Sequence, residues 1–183
     1  MKIIIRTIQV LTALVLIFFS IGAFIEKINY QTETLVNADR KTTFAIFSDP
    51  DNTAKWLPGF IRFEPVKGAP MTEGSQWRLI MIHNGEEMEM LETVKTIVPG
   101  EQFSFTLENN MLVNEVDIHF KQQQNKTLIV SNNTVKPKGL FWRSLLPLFK
   151  FSMEGQTQHS YQQLAKLVEQ KAAPINTDNQ RKQ

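Results

Sequence analysis

Four glutamates within one short stretch are the residues whose type and spacing best suit acid–base chemistry. They are Glu86, Glu87, Glu89 and Glu92. A pair of carboxyl groups shielded from water is a common device for moving protons. In a β-strand, however, alternation places Glu87 and Glu89 on the face opposite Met88 and Met90. Because glutamate is seldom fully buried, the pattern favours a solvated outer sheet face over a catalytic pair.

The histidines lack the spacing of a metal site or a catalytic triad. They are His83, His119 and His159. The absence of cysteine excludes disulfides, zinc–thiolate sites and a cysteine nucleophile. The sequence also lacks a phosphate-binding glycine loop, a dinucleotide fingerprint and a nucleophile-elbow motif. We therefore expect no metal and no cofactor, and the catalytic residues of any reaction remain unknown at this stage.

Large apolar side chains give a stronger signal than the titratable ones. They recur at alternating positions in three strands and again near the start of a C-terminal helix. The candidates for lining a ligand pocket are Trp77, Leu79, Met81, Met88, Met90, Phe103, Phe105, Trp142, Leu145 and Phe149. A packed core and a pocket for a hydrophobic molecule both fit this pattern. The methionines favour the pocket, because a flexible thioether adapts to varied apolar ligands.

Charge is nearly balanced over the chain and segregated along it. Of 20 basic and 18 acidic residues, three bases and one acid lie in residues 1–27, so the remainder is neutral overall. A neutral domain argues against nucleic-acid binding, which needs net positive charge to neutralise phosphates. Residues 86–117 are mostly acidic and residues 121–150 are basic. This segregation predicts cross-strand pairing or, alternatively, a basic patch near anionic lipid headgroups.

Residues 7–25 form an uncharged and strongly apolar run near the N-terminus. A helix of that length spans roughly 28 Å, close to the hydrocarbon thickness of a bilayer. Lys2 and Arg6 precede it, which predicts a cytoplasmic N-terminus and a domain on the periplasmic or extracellular side. We expect an uncleaved single-pass anchor. Cleavage of a signal peptide after Gly22 is the alternative, because Ser20 and Gly22 form a small-x-small pattern.

The rest of the chain predicts one strand, two short helices, six strands and a long C-terminal helix. Asp39 is suited to capping the first short helix. The six strands are expected at residues 60–66, 75–83, 87–98, 102–107, 112–120 and 127–135, with turn signals such as Asn84-Gly85 between them. Short loops between successive strands indicate an antiparallel meander. Because Pro147 is excluded from the interior of a straight helix, the long helix should begin at or near it.

Three segments follow from this pattern. Residues 1–27 are the predicted transmembrane anchor, residues 28–171 a single α+β domain, and residues 172–183 a polar and disordered tail.

The element order and several short stretches resemble the SRPBCC superfamily, which includes START lipid-transfer domains, polyketide cyclases and the major birch-pollen allergen. The stretches are Val36-Asn37-Ala38-Asp39, Phe44-Ala45-Ile46-Phe47-Ser48-Asp49-Pro50, Trp56-Leu57-Pro58-Gly59, Glu73-Gly74-Ser75-Gln76-Trp77 and Val98-Pro99-Gly100-Glu101. The resemblance covers residues 32–171. It implies a helix-grip fold, in which a curved antiparallel sheet of about seven strands wraps a long C-terminal helix and leaves a cavity between them. Members bind hydrophobic or amphipathic molecules, and no catalytic motif is shared among them.

The leading hypothesis is therefore a membrane-anchored module that binds a lipid or another hydrophobic small molecule between the sheet and the C-terminal helix. One alternative is an enzyme of the cyclase, dehydrase or hydrolase type that uses a carboxylate or histidine in the pocket. Another is a protein-interaction module with a filled core. A filled interior would favour the interaction module, whereas an ionisable group buried at the cavity would favour the enzyme.

Overall fold

The computed structural model describes residues 2–83 and 85–172. Its helices are α1 (Lys2–Phe24), α2 (Arg40–Ser48), α3 (Pro50–Trp56), α4 (Gly139–Leu145) and α5 (Lys150–Ala172), and a 3₁₀ helix (Leu146–Phe149) joins the last two. Its strands are β1 (Ile28–Val36), β2 (Phe60–Lys67), β3 (Gln76–His83), β4 (Glu86–Val98), β5 (Gln102–Glu108), β6 (Leu112–Gln123) and β7 (Lys126–Pro137). The predicted turn residue Asn84 and, apart from Ala172, the predicted polar tail lie outside the described residues.

The strands form one antiparallel sheet in the order β1-β7-β6-β5-β4-β3-β2. Successive strands from β2 to β7 are neighbours, as the short turns predict. The first strand instead pairs with the last, from Ile28 opposite Val135 to Val36 opposite Thr127. This pairing brings the residues that follow α1 to the same end of the sheet as the end of β7. The predicted arrangement of a seven-stranded antiparallel sheet and a long C-terminal helix is confirmed.

Helix α5 packs across one face of the sheet through a stripe at helical spacing. Tyr161, Leu164, Ala165 and Val168 are its buried residues, and the intervals of three and four place them on one side of the helix. They join a core that includes Ile118 and other alternating strand residues. The sequence pattern that predicted an apolar helix face therefore identifies the surface that holds the helix to the sheet.

The two short helices begin at side-chain caps that the sequence shows. Asp39 precedes α2, and its carboxylate accepts a hydrogen bond of 3.0 Å from the backbone N–H of Thr42. Asp49 caps α3 in the same way, and Pro50 occupies the first turn, where its missing N–H costs no hydrogen bond. These caps fix the residues at which α2 and α3 start. The last residue of α3, Trp56, then packs against Tyr161 of α5.

The region around Pro147 is divided into three helical pieces. Pro147 lies in the 3₁₀ helix, and α5 starts three residues later at Lys150. The prediction that the long helix begins near Pro147 is confirmed. Helix α4 packs against the N-terminal helix α1, with the ring centroids of Phe18 and Phe141 6.0 Å apart.

Among the described residues, helix α1 is long and apolar enough to span a membrane. A signal sequence near the N-terminus has the same features.

Basic residues in and just after β7 pair with acidic residues of β5 and β6. Lys136 of β7 contacts Glu115 of β6 at 2.5 Å, and Lys138 contacts Glu108 at 2.6 Å. The predicted cross-strand pairing between the acidic and the basic stretch is confirmed at these positions. Both pairs are substantially exposed, so each stabilises the fold by no more than about 1 kcal/mol.

Candidate functional site

A cavity of about 270 Å³ lies between the sheet, α3 and α5. Its wall is mostly apolar. The sheet contributes Phe63, Trp77, Leu79, Met81, Glu92, Val94, Phe103, Phe105, Leu107, Asn114, Val116, Ile118 and Asn133; α3 and its flanks contribute Pro50, Thr53, Trp56 and Leu57; α5 contributes Thr157, Ser160 and Tyr161. Phe47, Ser48, Pro70 and Met71 complete the wall. This volume lies just below the range of roughly 300–1,000 Å³ that is typical of small-molecule sites.

Strand alternation explains why some of the predicted pocket residues reach this cavity. Trp77, Leu79 and Met81 point inward from β3, and Phe103 and Phe105 line the wall from β5. Phe103 and Phe105 are consecutive inward positions, and their ring centroids are 5.4 Å apart.

The other predicted pocket residues lie elsewhere among the described residues. Met88 and Met90 stand opposite Met81 and Leu79 in the β3–β4 pairing, but neither belongs to the cavity wall. Strand β5 reaches only as far as Glu108, opposite Leu91. The β3–β4 hairpin therefore extends beyond the end of β5.

Three further predicted pocket residues lie on the segment that precedes α5. Trp142 and Leu145 belong to α4, and Phe149 belongs to the 3₁₀ helix. The structure therefore does not place Trp142 in the cavity wall that includes Trp77. A 3₁₀ helix that contains Pro147 separates α4 from α5, and α4 packs against α1 instead of lining the cavity.

Glu92, one of the four glutamates that the sequence suggests for acid–base chemistry, is a titratable residue of the cavity wall. It stands opposite Trp77 and Leu107 in its two strand pairings, and it shares the inward parity of Met90 and Val94. Its side chain is only partly exposed. Removal of the carboxyl from water raises its pKa from the usual 4.5 to about 7, because an ion is poorly solvated there.

The glutamates of this hairpin therefore differ in environment. Glu87 and Glu89 are exposed, and Glu89 forms an ion pair with Arg78 on the outer face. The predicted solvated outer face is confirmed for these two residues, whereas Glu92 lies on the inward face. The signal was present in the sequence, since Glu92 falls two residues after Met90 and two before Val94.

Two more polar atoms at the cavity have no hydrogen-bond partner within the described residues. They are the Oδ1 of Asn114 and the Nε1 of Trp56. The amide nitrogen of Asn114 donates to the Oδ1 of Asn133 at 3.3 Å, and Asn133 in turn donates to the Oγ of Ser131 at 3.0 Å. These bonds orient the Asn114 amide, which also lies beside the hydroxyl of Tyr30. A buried unpaired acceptor or donor costs about 1–3 kcal/mol, so each favours a ligand that satisfies it.

The indole of Trp56 is held in place by aromatic neighbours. It stacks on Tyr161 of α5 with ring centroids 6.3 Å apart, and Phe47 lies 5.7 Å from it. The hydroxyl of Tyr161 donates to the Oγ of Ser131 at 3.2 Å, which anchors the other side of the stack. The unpaired indole N–H is therefore a preformed donor rather than a freely rotating one.

Glu92 and Asn114 lie in one row across the sheet. Leu107 stands between them and pairs with both, so their backbones are about 10 Å apart, two strand spacings. The cavity thus combines a broad apolar wall with an amide oxygen and with a carboxyl group whose pKa is raised by desolvation. This arrangement suits an apolar molecule that carries a polar group able to donate a hydrogen bond.

Known proteins support the fold. The structure of Ara h 8.0201 aligns with a TM-score of 0.65 at 14% identity, over 78% of this chain and 97% of that one. A START superfamily protein from Mycobacterium smegmatis aligns with a TM-score of 0.63 at 19% identity, over 78% and 97%. The di-domain ARO/CYC protein StfQ from the steffimycin biosynthetic pathway aligns with a TM-score of 0.67 at 9% identity, over 81% of this chain and 52% of that one. At these identities the likeness concerns the fold alone.

A comparison with curated proteins finds no match. Residues 37–169 match the family described as Activator of Hsp90 ATPase homolog 1-like protein. The match covers most of the sheet and of α5, and together with the shared fold it supports the predicted SRPBCC resemblance. The chain therefore belongs to the family of Activator of Hsp90 ATPase homolog 1-like proteins.

Proposed function

We propose that this protein binds a hydrophobic small molecule, a lipid or a compound of similar polarity, in the cavity between the sheet and α5. The observation that carries the proposal is the pairing of an apolar wall with unsatisfied polar atoms at fixed positions. Asn114 offers an acceptor, Trp56 offers a donor, and Glu92 offers either, depending on pH. We expect the bound molecule to be amphipathic, with its apolar body against residues such as Leu79 and Phe103.

Binding of a fluorescent fatty acid to the full chain in detergent tests this proposal. Replacement of Leu107, which lines the cavity between Glu92 and Asn114, by Trp should fill the space and weaken saturable binding at least tenfold, a loss of about 1.4 kcal/mol. Leu91→Trp is the matched control, because Leu91 is also half-buried but points to the opposite face of the sheet. Equal binding by all three proteins would overturn the proposal.

We further propose that residues 1–27 remain attached as a single-pass membrane anchor, with residues 28–171 forming the folded domain. The buried Gly22 supports this view. It lies against Leu140 and Ser144 of α4, and a Cβ at this position would come within 2.7 Å of the Leu140 carbonyl oxygen. Signal-peptide cleavage after Gly22 would remove the partner of α4 and expose the buried Ser144.

The orientation proposed from Lys2 and Arg6 places the domain on the periplasmic or extracellular side. Fusion of alkaline phosphatase after Gln183 should give an active reporter in a bacterial host, since the enzyme is active only outside the cytoplasm. An inactive phosphatase combined with an active cytoplasmic reporter at the same site would reverse the orientation.

Glu92 favours a second function, an enzyme of the cyclase, dehydrase or hydrolase type. A carboxyl with a pKa of about 7 exchanges protons readily near neutral pH, and its position in the wall lets it reach a bound molecule. In that case Glu92→Gln should abolish turnover of the molecule bound in the cavity and leave its binding intact. Glu87→Gln is the control, because Glu87 lies on the same strand but is exposed. Turnover that survives Glu92→Gln would remove Glu92 from the reaction.

A protein-interaction role, in line with the family's description, is the third candidate. It would require no cavity, and the open space beside α5 favours a ligand over a filled core.

A further inference from the structure

We infer that the segment from α4 to the start of α5 lies in the surface of the lipid bilayer, beside the anchor. This inference rests on the proposed membrane span and goes beyond it, because a tether alone leaves the domain free to move. The surface consists of Leu140, Phe141, Leu148, Phe149 and Phe151, all of them exposed; we call it the α4 face.

The depth of α4 follows from its contact with α1. If the apolar run of residues 7–25 fills the hydrocarbon layer, Gly22 lies three residues inside its outer end, or about 5 Å at the helical rise. Phe18 lies about 10 Å inside the same end. Gly22 contacts α4 at Ser144 and Leu140, and Phe18 contacts Phe141. Helix α4 is therefore held at the depth of 5–10 Å at which interfacial helices lie.

The exposure of the α4 face matches that position. Phe151 is 84% exposed and Leu148 62% exposed, an unusual arrangement for large apolar side chains so close together in water. Residues 138–151 contain Lys138, Arg143 and Lys150 and no acidic residue. Lys138 pairs with Glu108, which leaves Arg143 and Lys150 as the cationic residues of this segment outside that pair. Cationic side chains beside an apolar surface are suited to anionic lipid headgroups.

The segment that joins the proposed membrane span to the sheet is also short. Strand β1 begins at Ile28, four residues after α1 ends at Phe24. The packing of α4 on α1 then adds a second attachment at the end of the sheet where β7 finishes. Two attachments on one side fix the orientation of the domain relative to the bilayer.

Site-directed spin labelling of the full chain in phosphatidylcholine–phosphatidylglycerol vesicles tests the inference. Since the sequence has no cysteine, each introduced cysteine is the unique labelling site. Labels at Phe149→Cys and Phe151→Cys should collide with oxygen more than with a water-soluble nickel complex. Val10→Cys, within the anchor, is the reference for the bilayer interior. Gln123→Cys is the aqueous reference, because β7 carries the chain about 36 Å from that turn to Pro137.

Each outcome has a defined meaning. We expect the nickel accessibility at Phe149 and Phe151 to be several-fold lower than at Gln123, with high oxygen accessibility. Nickel accessibility equal to that at Gln123, with a shielded Val10, would overturn the inference and leave the anchor in place. A nickel-accessible Val10 would refute the anchor and the inference with it. Labels at Phe149 and Phe151 shielded from both reagents would indicate a protein contact and would likewise overturn the inference.

Discussion

Replacement of Glu92 by glutamine should make the protein more stable at alkaline pH and change little at acidic pH. The carboxyl is removed from water in the cavity wall, and this desolvation raises its pKa to about 7. The folded protein therefore holds the proton more tightly than the unfolded chain does. Glutamine has nearly the same shape and no charge, so it keeps the neutral state of the side chain at every pH.

The sign of the effect follows from proton linkage. Below the unfolded pKa of 4.5 both states are protonated, and Glu92 costs no stability. As pH rises towards 7 the unfolded chain releases its proton first, so the free energy of unfolding falls until the folded state also ionises. The full shift corresponds to about 3 kcal/mol at roughly 1.4 kcal/mol per unit, and the partial solvent contact of the carboxyl reduces the expected effect to about 1–3 kcal/mol.

Urea unfolding in a mild non-ionic detergent, followed by tryptophan fluorescence, measures this effect. The quantity is the free energy of unfolding of Glu92→Gln minus that of the wild type, taken from about pH 5 to about pH 8. It should rise by about 1–3 kcal/mol over that range. The same difference for Glu87→Gln should stay flat, because Glu87 is exposed. If the difference in free energy of unfolding for Glu92→Gln does not change with pH, the carboxyl is not desolvated in the folded protein.

Other substitutions test the packing around the site. Leu79→Ala should cost about 1–2 kcal/mol less stability than Leu164→Ala, because Leu79 borders the cavity whereas Leu164 is fully buried in the core; equal losses in urea unfolding would contradict the open space. Asp39→Ala should cost about 1 kcal/mol through the lost cap of α2, and the exposed Asp51→Ala, measured in the same way, should cost clearly less. Gly22→Leu should prevent bismaleimide cross-linking of a Phe18→Cys/Phe141→Cys pair by forcing α1 away from α4. Gly155→Leu, at a helical glycine with open space around it, should leave that cross-linking unchanged.

Much of the architecture is predictable from local patterns in this sequence. The turn dipeptide Pro99-Gly100 and the cap Asp39 mark element ends by short-range chemistry, and the alternation in β3 identifies its inward face. The packing of α4 on α1 is a different case. It depends on Gly22 meeting Ser144, residues far apart in sequence whose types reveal no pairing. Likewise, Pro147 predicts a break in the helix but not the packing of α4 against α1.

The site was predictable where a side chain's neighbours follow from strand parity. Leu79 and Phe103 fall into this group. Glu92 was accessible to the same reasoning, yet its charge suggested solvent and hid its inward parity. Asn114 and Trp56 could not be identified from the sequence. Whether their polar atoms lack a hydrogen-bond partner depends on which other groups the fold brings close to them. The absence of Trp142 from the cavity wall accompanies the packing of α4 against α1, a tertiary feature.

Native mass spectrometry of the full chain, released from membranes in detergent, tests the cavity-binding claim most directly. The wild type and Leu91→Trp should each carry one small molecule, and fragmentation of the complex should identify it as amphipathic and largely apolar. Leu107→Trp should emerge without that molecule, because the indole occupies the space between Glu92 and Asn114. A wild type that carries and takes up no such molecule, or a Leu107→Trp protein that retains it as fully as Leu91→Trp does, would contradict the account.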